Sequence, residues 1–544
     1  MRNHIFGNMK KQKKYKNILM KKTYSKYIAL TLLAASLGLS SCDSFLDELP
    51  DNRMELKGAK DITDLLVSAY PEYNPAFLLE RYSDNSDQFD VTGWNDGDQF
   101  EKEAYNWKDI TDISAQEAPQ NLWENFYRKV GTANLALQAI EKQGDPSALN
   151  AQRGEALLCR AYSEFMLANV FCNAYSPTTA DKELGLPFPT EPEEHVGTKY
   201  QRGTLKQLYD KINSDIEEAL PLVQDDQYTQ PKFHFTRAAA YAFAAKFNLF
   251  YGNYEKAISY ADKVLGANAA NGLRNWASFY ALSPNKQVAP NGYVSSSEDA
   301  NLLILAAFSE WGVYYGPYGI GNEFSHSKLI SSAETLQADG PWGNSATFGY
   351  TVWSNNSLSK YFINKIPYSF EYKDIQAGTG FAHTEIPAFT TDGTLLVRAE
   401  AKALNGDYAG AVSDLNLEVK AMSVGKKSVT LDAINSFYDG LADYTPTAPT
   451  PKKALHPVFT TLKDNTQQNV IDAILQLRRI LTLGEGERMQ DVKRYGIVIY
   501  RRKLNRSSQV LQVTDSLKQD DPRRAIQLPQ DVITAGLQAN PRNK

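Results

Sequence analysis

Trp311, Tyr314, Tyr315 and Tyr318 crowd into one short stretch with Gly312, Gly316, Pro317, Gly319 and Gly321, where helical burial does not account for the rings. Flat aromatic faces stack on the apolar face of a sugar ring or on peptide side chains, while phenol, Asn and Asp groups supply hydrogen bonds. The chemistry on offer is gripping a ligand, and glycine lets a partner come close. The competing use of the same rings is to fill a loop-rich core. Trp123, in the apolar pattern of Leu122, Phe126 and Val130, belongs to a core.

Residues that would make or break bonds do not assemble in the sequence. It has no Gly-x-x-x-x-Gly-Lys phosphate loop, no Gly-x-Ser-x-Gly elbow and no His-Glu-x-x-His, and His4, His195, His234, His326, His383 and His456 are scattered. Gly319-Ile320-Gly321 and Gly484-Glu485-Gly486 lack a third Gly and the strand and acidic partner of a dinucleotide site. No cofactor and no metal cluster is expected. Asn95-Asp96-Gly97-Asp98 could wrap a Ca²⁺, but the full loop spacing is missing and an Asn/Asp/Gly turn explains it. A glycosidase stays open as an alternative, because its two carboxylates are paired only in space.

The elements that must position the rings are mostly helices. Apolar periodicity marks 59–70, 120–143, 150–174, 204–222, 236–267, 391–422 and 465–496. Gly252-Asn253-Tyr254 with Ala257 repeats as Gly406-Asp407-Tyr408 with Ala411, each after an Ala-rich helix. This is the tetratricopeptide pattern: Gly ends one helix, Tyr opens the next, and the small Ala lets the pair approach. Between the repeats, 268–390 is broken by Pro, Gly and Asn, carries Trp276, Trp311, Trp342 and Trp353, and contains strand-like runs such as Leu302 to Phe308. Two more irregular segments are Ser83 to Trp107, which holds Trp94, and 440–457, which reads as an exposed loop. Long loops on a rigid scaffold are where function tends to live. The expected fold is mainly α: tetratricopeptide-like helix pairs forming a right-handed helical scaffold, with a large loop-rich insertion carrying short strands.

At 544 residues with 42% hydrophobic and 22% charged positions, the chain is neither disordered nor a polytopic membrane protein. A net charge of -5 and a Lys run confined to the first 26 residues argue against a nucleic-acid partner. That run precedes an apolar stretch, Ile28 to Leu39, too short for the roughly 20 residues of a spanning helix, so 1–41 reads as a signal peptide starting at Met1, Met9 or Met20. Leu39-Ser40-Ser41-Cys42 resembles a bacterial lipobox, making Cys42 the acylated N-terminus of a lipidated tether over 42–58. Cys159 and Cys172 are too far apart on one helical pattern to bond and read as small buried hydrophobes.

The chain as a whole resembles the SusD/RagB family of outer-membrane nutrient-binding lipoproteins. After the lipobox come Cys42-Asp43-Ser44-Phe45-Leu46-Asp47, then Arg153-Gly154-Glu155-Ala156 with Arg160-Ala161-Tyr162, and Thr236-Arg237-Ala238 before the first repeat. Leu396 and Arg398-Ala399-Glu400-Ala401 precede the second. Glu485-Gly486-Glu487-Arg488 with Asp491, Arg494 and Tyr495 follow, then Leu528-Pro529 and Asn540-Pro541. Val492 and Tyr495 stand where Leu and Trp are usual, and Asp531-Val532 replaces Glu-Ile, all at scaffold positions. By their spacing, Arg153, Glu155 and Arg160, and Glu487, Arg488, Asp491 and Arg494, read as ion pairs that pin helices rather than ligand contacts.

The resemblance implies a SusD-like region with helix pairs over 59–267, the aromatic insertion over 268–390 and a SusD/RagB region over 391–544. It implies no catalysis and a SusC-like TonB-dependent β-barrel partner in the same outer membrane, to which the lipoprotein delivers an oligosaccharide or, in some members, a peptide. Through the matching loop regions it adds Trp94 and Asn95 to Trp311, Tyr314, Tyr315 and Tyr318 as ligand-binding candidates. A glycoside hydrolase and a purely structural tetratricopeptide scaffold are the competing classes.

Overall fold

Why the two Gly-Tyr repeats fold alike is visible in their caps. In the computed structural model, which describes residues 56, 58–90, 96–193, 198–282, 287–355 and 359–542, the Thr236 hydroxyl accepts from the Ala239 N–H and opens the helix Arg237–Tyr251. Thr390 does the same for Gly393 at the head of Thr391–Asn405. Both helices end on a left-handed residue, Gly252 at φ +89° and Gly406 at φ +89°, the conformation in which glycine carries no Cβ penalty. The next helices, Tyr254–Leu265 and Tyr408–Met422, turn back with Ala257 and Ala411 fully buried at the contact. The signal segment and Cys42 lie outside the described residues.

Separated in sequence, the repeats are consecutive in space. The helix Tyr254–Leu265 packs both on Arg237–Tyr251 and on Thr391–Asn405, which in turn packs on Tyr408–Met422 and on Asn465–Leu481. The insertion is therefore looped out between neighbouring helices of one stack. Upstream, Pro119–Lys142, Asn150–Phe171 and Leu205–Ala219 pack in sequence order, with Trp123 in the core as expected. Residues Gly58–Lys544 form one unit, so the three blocks share a core. Among the described residues no helix is long and apolar enough to cross a membrane.

The charged motif residues pin these elements together. Arg160 pairs with Asp215 at 2.7 Å, Arg153 with Glu218 at 2.7 Å, and Glu155 takes bonds from Tyr70 and His234. Arg488 reaches Asp84 at 2.7 Å, Asp491 takes Arg478 at 2.9 Å, and Glu487 takes Lys246 at 2.6 Å. The Arg494 guanidinium and the Tyr495 hydroxyl both donate to Glu400, so the Tyr that replaces the usual Trp supplies a bond of its own. All seven motif positions thus tie separate helices and loops, and breaking one of the buried pairs, such as Arg488–Asp84, costs about 3–5 kcal/mol. Cys159 and Cys172 are buried and free.

Two sheets shape the ring-bearing region. In the insertion Asn301–Phe308, the expected strand, pairs antiparallel with Thr379–Thr390, and that strand with Ser369–Asp374 at the sheet edge. A second sheet joins distant segments in the order Val510–Leu517, Ile499–Leu504, Asp87–Phe89, Phe324–Ser325. It brings the early loop beside the insertion. The segment 440–457 is irregular as expected, but Lys453 and Leu455 are buried rather than exposed, because Lys453 pairs with Glu334 at 2.6 Å.

Candidate functional site

The ring-bearing loop starts from a buried carboxyl. Ser309, just after the strand Asn301–Phe308, donates to Glu117 and accepts from the Trp311 N–H at 3.0 Å, which sets the first turn of the helix Trp311–Tyr315. Burial pushes the Glu117 carboxyl up to about 8. From there Trp311 turns inward: its indole N–H donates to the Gly484 carbonyl at 2.7 Å and its ring stacks on Phe77 with centroids 4.8 Å apart. The Arg81 guanidinium lies 5.1 Å from the same ring. Tyr315 also points inward and donates to the Leu483 carbonyl at 3.2 Å.

Trp311 is 2% exposed and Tyr315 6%, so the expectation that Trp311 offers an open stacking face is corrected. The indole has its polar partner and its ring already has neighbours; both form the support of the loop. The glycines serve the same end, since a Cβ on Gly312 would sit 2.1 Å from the Pro367 carbonyl oxygen. The close approach is to the protein's own chain. The space lined by Arg81, Trp311, Tyr314 and Lys360 is about 20 Å³, room for one water and not for a ligand.

Beside this support the Tyr314 ring packs on Phe77 with centroids 4.7 Å apart. Lys360, buried on the strand Lys360–Ile363, donates to the carbonyls of Tyr314 at 2.6 Å, Tyr318 at 3.2 Å and Ile320. Burial, with Arg81 nearby, draws its ammonium down to about 7. Tyr314 and Tyr318 are half-buried. The Tyr314 hydroxyl donates to Asp98 at 3.1 Å, so the early and late loops chosen from sequence do meet. Trp94 and Asn95 lie outside the described residues. Asp98 caps the helix Gln99–Tyr105 by accepting the Glu101 N–H, and Gly97 N–H donates to Glu323 at 2.6 Å. That is a turn and a cap, and among the described residues no group of three or more His, Cys, Asp or Glu could hold a metal.

Sequence reasoning missed the neighbouring hairpin. Tyr318 meets Tyr368 edge to face at 5.9 Å, and the Gln287 amide donates to the Tyr318 hydroxyl at 3.1 Å and the Tyr368 carbonyl at 2.8 Å. Beyond Tyr368 the edge strand Ser369–Asp374 carries Phe370 and Tyr372, whose rings lie 4.9 Å apart, with Tyr372 57% exposed. Phe370 covers Gly380 across the ladder. The other hairpin face holds Phe381 against Phe308, and His383 paired with Glu371 at 2.9 Å. The available signal was the alternation Tyr368-Ser369-Phe370-Glu371-Tyr372-Lys373, a period-2 pattern of a strand with one aromatic side.

The arrangement is a group of part-exposed rings, Tyr314, Tyr318 and Tyr368 half-buried and Phe370 and Tyr372 exposed, with the Gln287 amide and the Asp98 and Glu310 carboxylates alongside. It can stack on a flat ligand and hydrogen-bond its edge.

Residues 44–249 match a family model described as starch-binding associating with outer membrane, and residues 337–530 match the model of the SusD family. Solved structures match over most of the chain. A SusD superfamily protein from Bacteroides thetaiotaomicron is 19% identical, covering 89% of this chain and 100% of its own, with a TM-score of 0.60. A SusD-like carbohydrate binding protein from Bacteroides vulgatus is 14% identical over 88% of this chain and 96% of its own, with a TM-score of 0.57. A SusD superfamily protein from Bacteroides fragilis is 17% identical over 88% and 98%, with a TM-score of 0.59. At these identities the structures establish a shared fold. No curated protein is similar to the chain at a significant level.

Proposed function

The chain belongs to the SusD/RagB family, and from that membership we propose that it is a cell-surface lipoprotein, anchored through Cys42, that captures an oligosaccharide and delivers it to a SusC-like TonB-dependent outer-membrane transporter. The observation that carries the ligand reading is the row Tyr314, Tyr318, Tyr368, Phe370 and Tyr372, standing on a support that Lys360, Trp311 and Tyr315 fix from below. Stacking on such rings needs faces that are accessible before the ligand arrives, and Phe370 and Tyr372 are exposed while Tyr314, Tyr318 and Tyr368 are half-buried. Trp94 and Asn95 are proposed as further ligand-binding residues. Because the support is already hydrogen-bonded, binding orders few groups, and the loss of entropy on capture is small. A carrier that must release its cargo gains nothing from very tight binding.

Calorimetric titration of the Cys42→Ala protein against a panel of neutral oligosaccharides and peptides tests the ligand, and co-purification of the lipidated protein from outer membranes tests the partner. The reading expects saturation by an oligosaccharide and a co-purifying β-barrel. Saturation by peptides alone would reassign the ligand within the family. Release of reducing ends would make the protein a hydrolase, and no ligand at all would leave only a scaffold.

A further inference from the structure

A much roomier space lies away from the rings. The segment 182–188 and the first turns of the helix Leu205–Ala219 line a cleft of about 690 Å³, in the size range of small-ligand sites, that shares no lining residue with the aromatic row. Its backbone is closed by the protein itself: Gly185 N–H donates to Gly203, Leu205 N–H to Glu183 and Lys206 N–H to Ala180, at 2.8 to 2.9 Å. Thr204 and Gln207 form a capping box that uses the Gln207 side-chain oxygen and leaves its amide nitrogen over. The helix amides are thus spent, and what the cleft presents is side chains.

Those side chains are unbalanced in charge. Lys182 and Lys211 are exposed, and among the described residues neither ammonium has a carboxylate within ion-pair distance; Lys211 sits 5.3 Å from the centroid of the half-buried Phe188 ring. Arg202 gives its guanidinium to the Gly185 and Gln538 carbonyls and to the Asn540 amide oxygen, all neutral acceptors. Of the two lining carboxylates, Asp210 is already bonded by Lys206 at 2.6 Å; Glu183, bonded by the Thr179 hydroxyl, offsets one of the three lining cations Lys182, Arg202 and Lys211. Behind them Glu164 is fully buried, and burial raises its carboxyl well above the ordinary range, which opposes its charged form. Arg160, on the same Phe188 ring, is neutralised by Asp215. On a chain of net charge -5 this is a locally cationic cleft.

We propose that the cleft is a second binding site, for oligosaccharides that carry carboxylate groups, with Lys182 and Lys211 taking the carboxylates and Gln207 and Phe188 the sugar. The mixture of amide, hydroxyl and one aromatic ring favours a saccharide over a phosphate or a purely acidic peptide, whose binding would need only the cations.

The test titrates the intact protein in detergent with tetragalacturonate, with maltotetraose as the neutral control and tetraglutamate as the acidic peptide. Tetragalacturonate is expected to saturate one site with an affinity that falls as salt rises, and the double variant Lys182→Gln/Lys211→Gln to weaken it by about tenfold or more. Both lysines are exposed, so the thermal transition should not move, and binding of a neutral sugar at the aromatic row should persist. Absence of saturable galacturonate binding, equal affinity in the double variant, or tetraglutamate binding as tightly as the saccharide would each overturn the proposal.

Discussion

The ammonium of Lys360 donates to the carbonyl oxygen of Tyr314 at 2.6 Å from a residue only 3% exposed. With its bonds to Tyr318 and Ile320 it holds the backbone that carries the half-buried Tyr314 and Tyr318 rings to the strand beneath. Lys360→Met keeps the stem and removes the donors, leaving three carbonyls short of a partner. The expected loss is about 2 kcal/mol of stability, with oligosaccharide affinity down by about fivefold or more as the loop loosens. Urea denaturation and calorimetry read the two effects, and an unchanged affinity would separate the loop's order from binding.

The rings divide into support and platform, and substitution should divide them the same way. Tyr318→Ala, Tyr368→Ala and Tyr372→Ala should each weaken the oligosaccharide by about tenfold, near 1.4 kcal/mol, with little change in thermal stability. Trp311→Ala should instead cost about 3–5 kcal/mol of stability, because it empties a filled core site. If all three Tyr variants bind like wild type, the platform is elsewhere.

Gly252 and Gly406 share φ +89° at matching helix ends. Valine at either should cost about 1–3 kcal/mol, since a β-branched residue resists the left-handed region, without altering ligand affinity. Denaturant midpoints against binding curves decide it, and a variant as stable as wild type would contradict the backbone argument.

Buried carboxyls set the pH response. Burial lifts Glu117 to about 8 and Glu101 to about 6, above the ordinary 4.5, so their stabilising contribution is full below about 4.5 and is lost as pH rises toward those values. Glu334 and Glu400 run the other way: burial opposes their charge, but Lys453, Arg479 and Arg502 around the first and Arg494 and Arg478 around the second hold them at about 2. Their contribution is full above about 4.5 and is lost as pH falls toward 2. The Tm should therefore fall between about pH 5 and pH 7, and Glu117→Gln should flatten the underlying slope of stability by up to about 1.4 kcal/mol per pH unit. A Tm rising over this window would count against the assignment. Above it, Lys360 at about 7 and Lys453 and Lys493 at about 8, each lowered by burial, add the opposite slope.

On the proposed lipid anchor, Cys42→Ala should leave the folded body intact but free of the membrane, because the acyl chains would sit on that one residue. Palmitate labelling and membrane fractionation check this, and an unchanged membrane fraction would refute the lipid anchor.

The sequence by itself determined the scaffold. The helix spans, the left-handed Gly252 and Gly406, the buried Ala257 and Ala411 and the strand after Leu302 follow from period, caps and propensity, which act over a few neighbouring residues. The ion-pair role of the motif charges was legible too, although their partners Asp215, Glu218, Asp84 and Arg478 were not. Tertiary structure alone decided which rings face water. Trp311 and Tyr315 share a short aromatic run with Tyr314 and Tyr318, yet the first two find carbonyls at Gly484 and Leu483 and turn inward, while the others are held from below by Lys360. Acceptors about 170 residues downstream settle that choice, and no local pattern encodes it. The same holds for the cleft of Lys182 and Lys211: each lysine is ordinary in the sequence, and only the fold brings both to one concave surface.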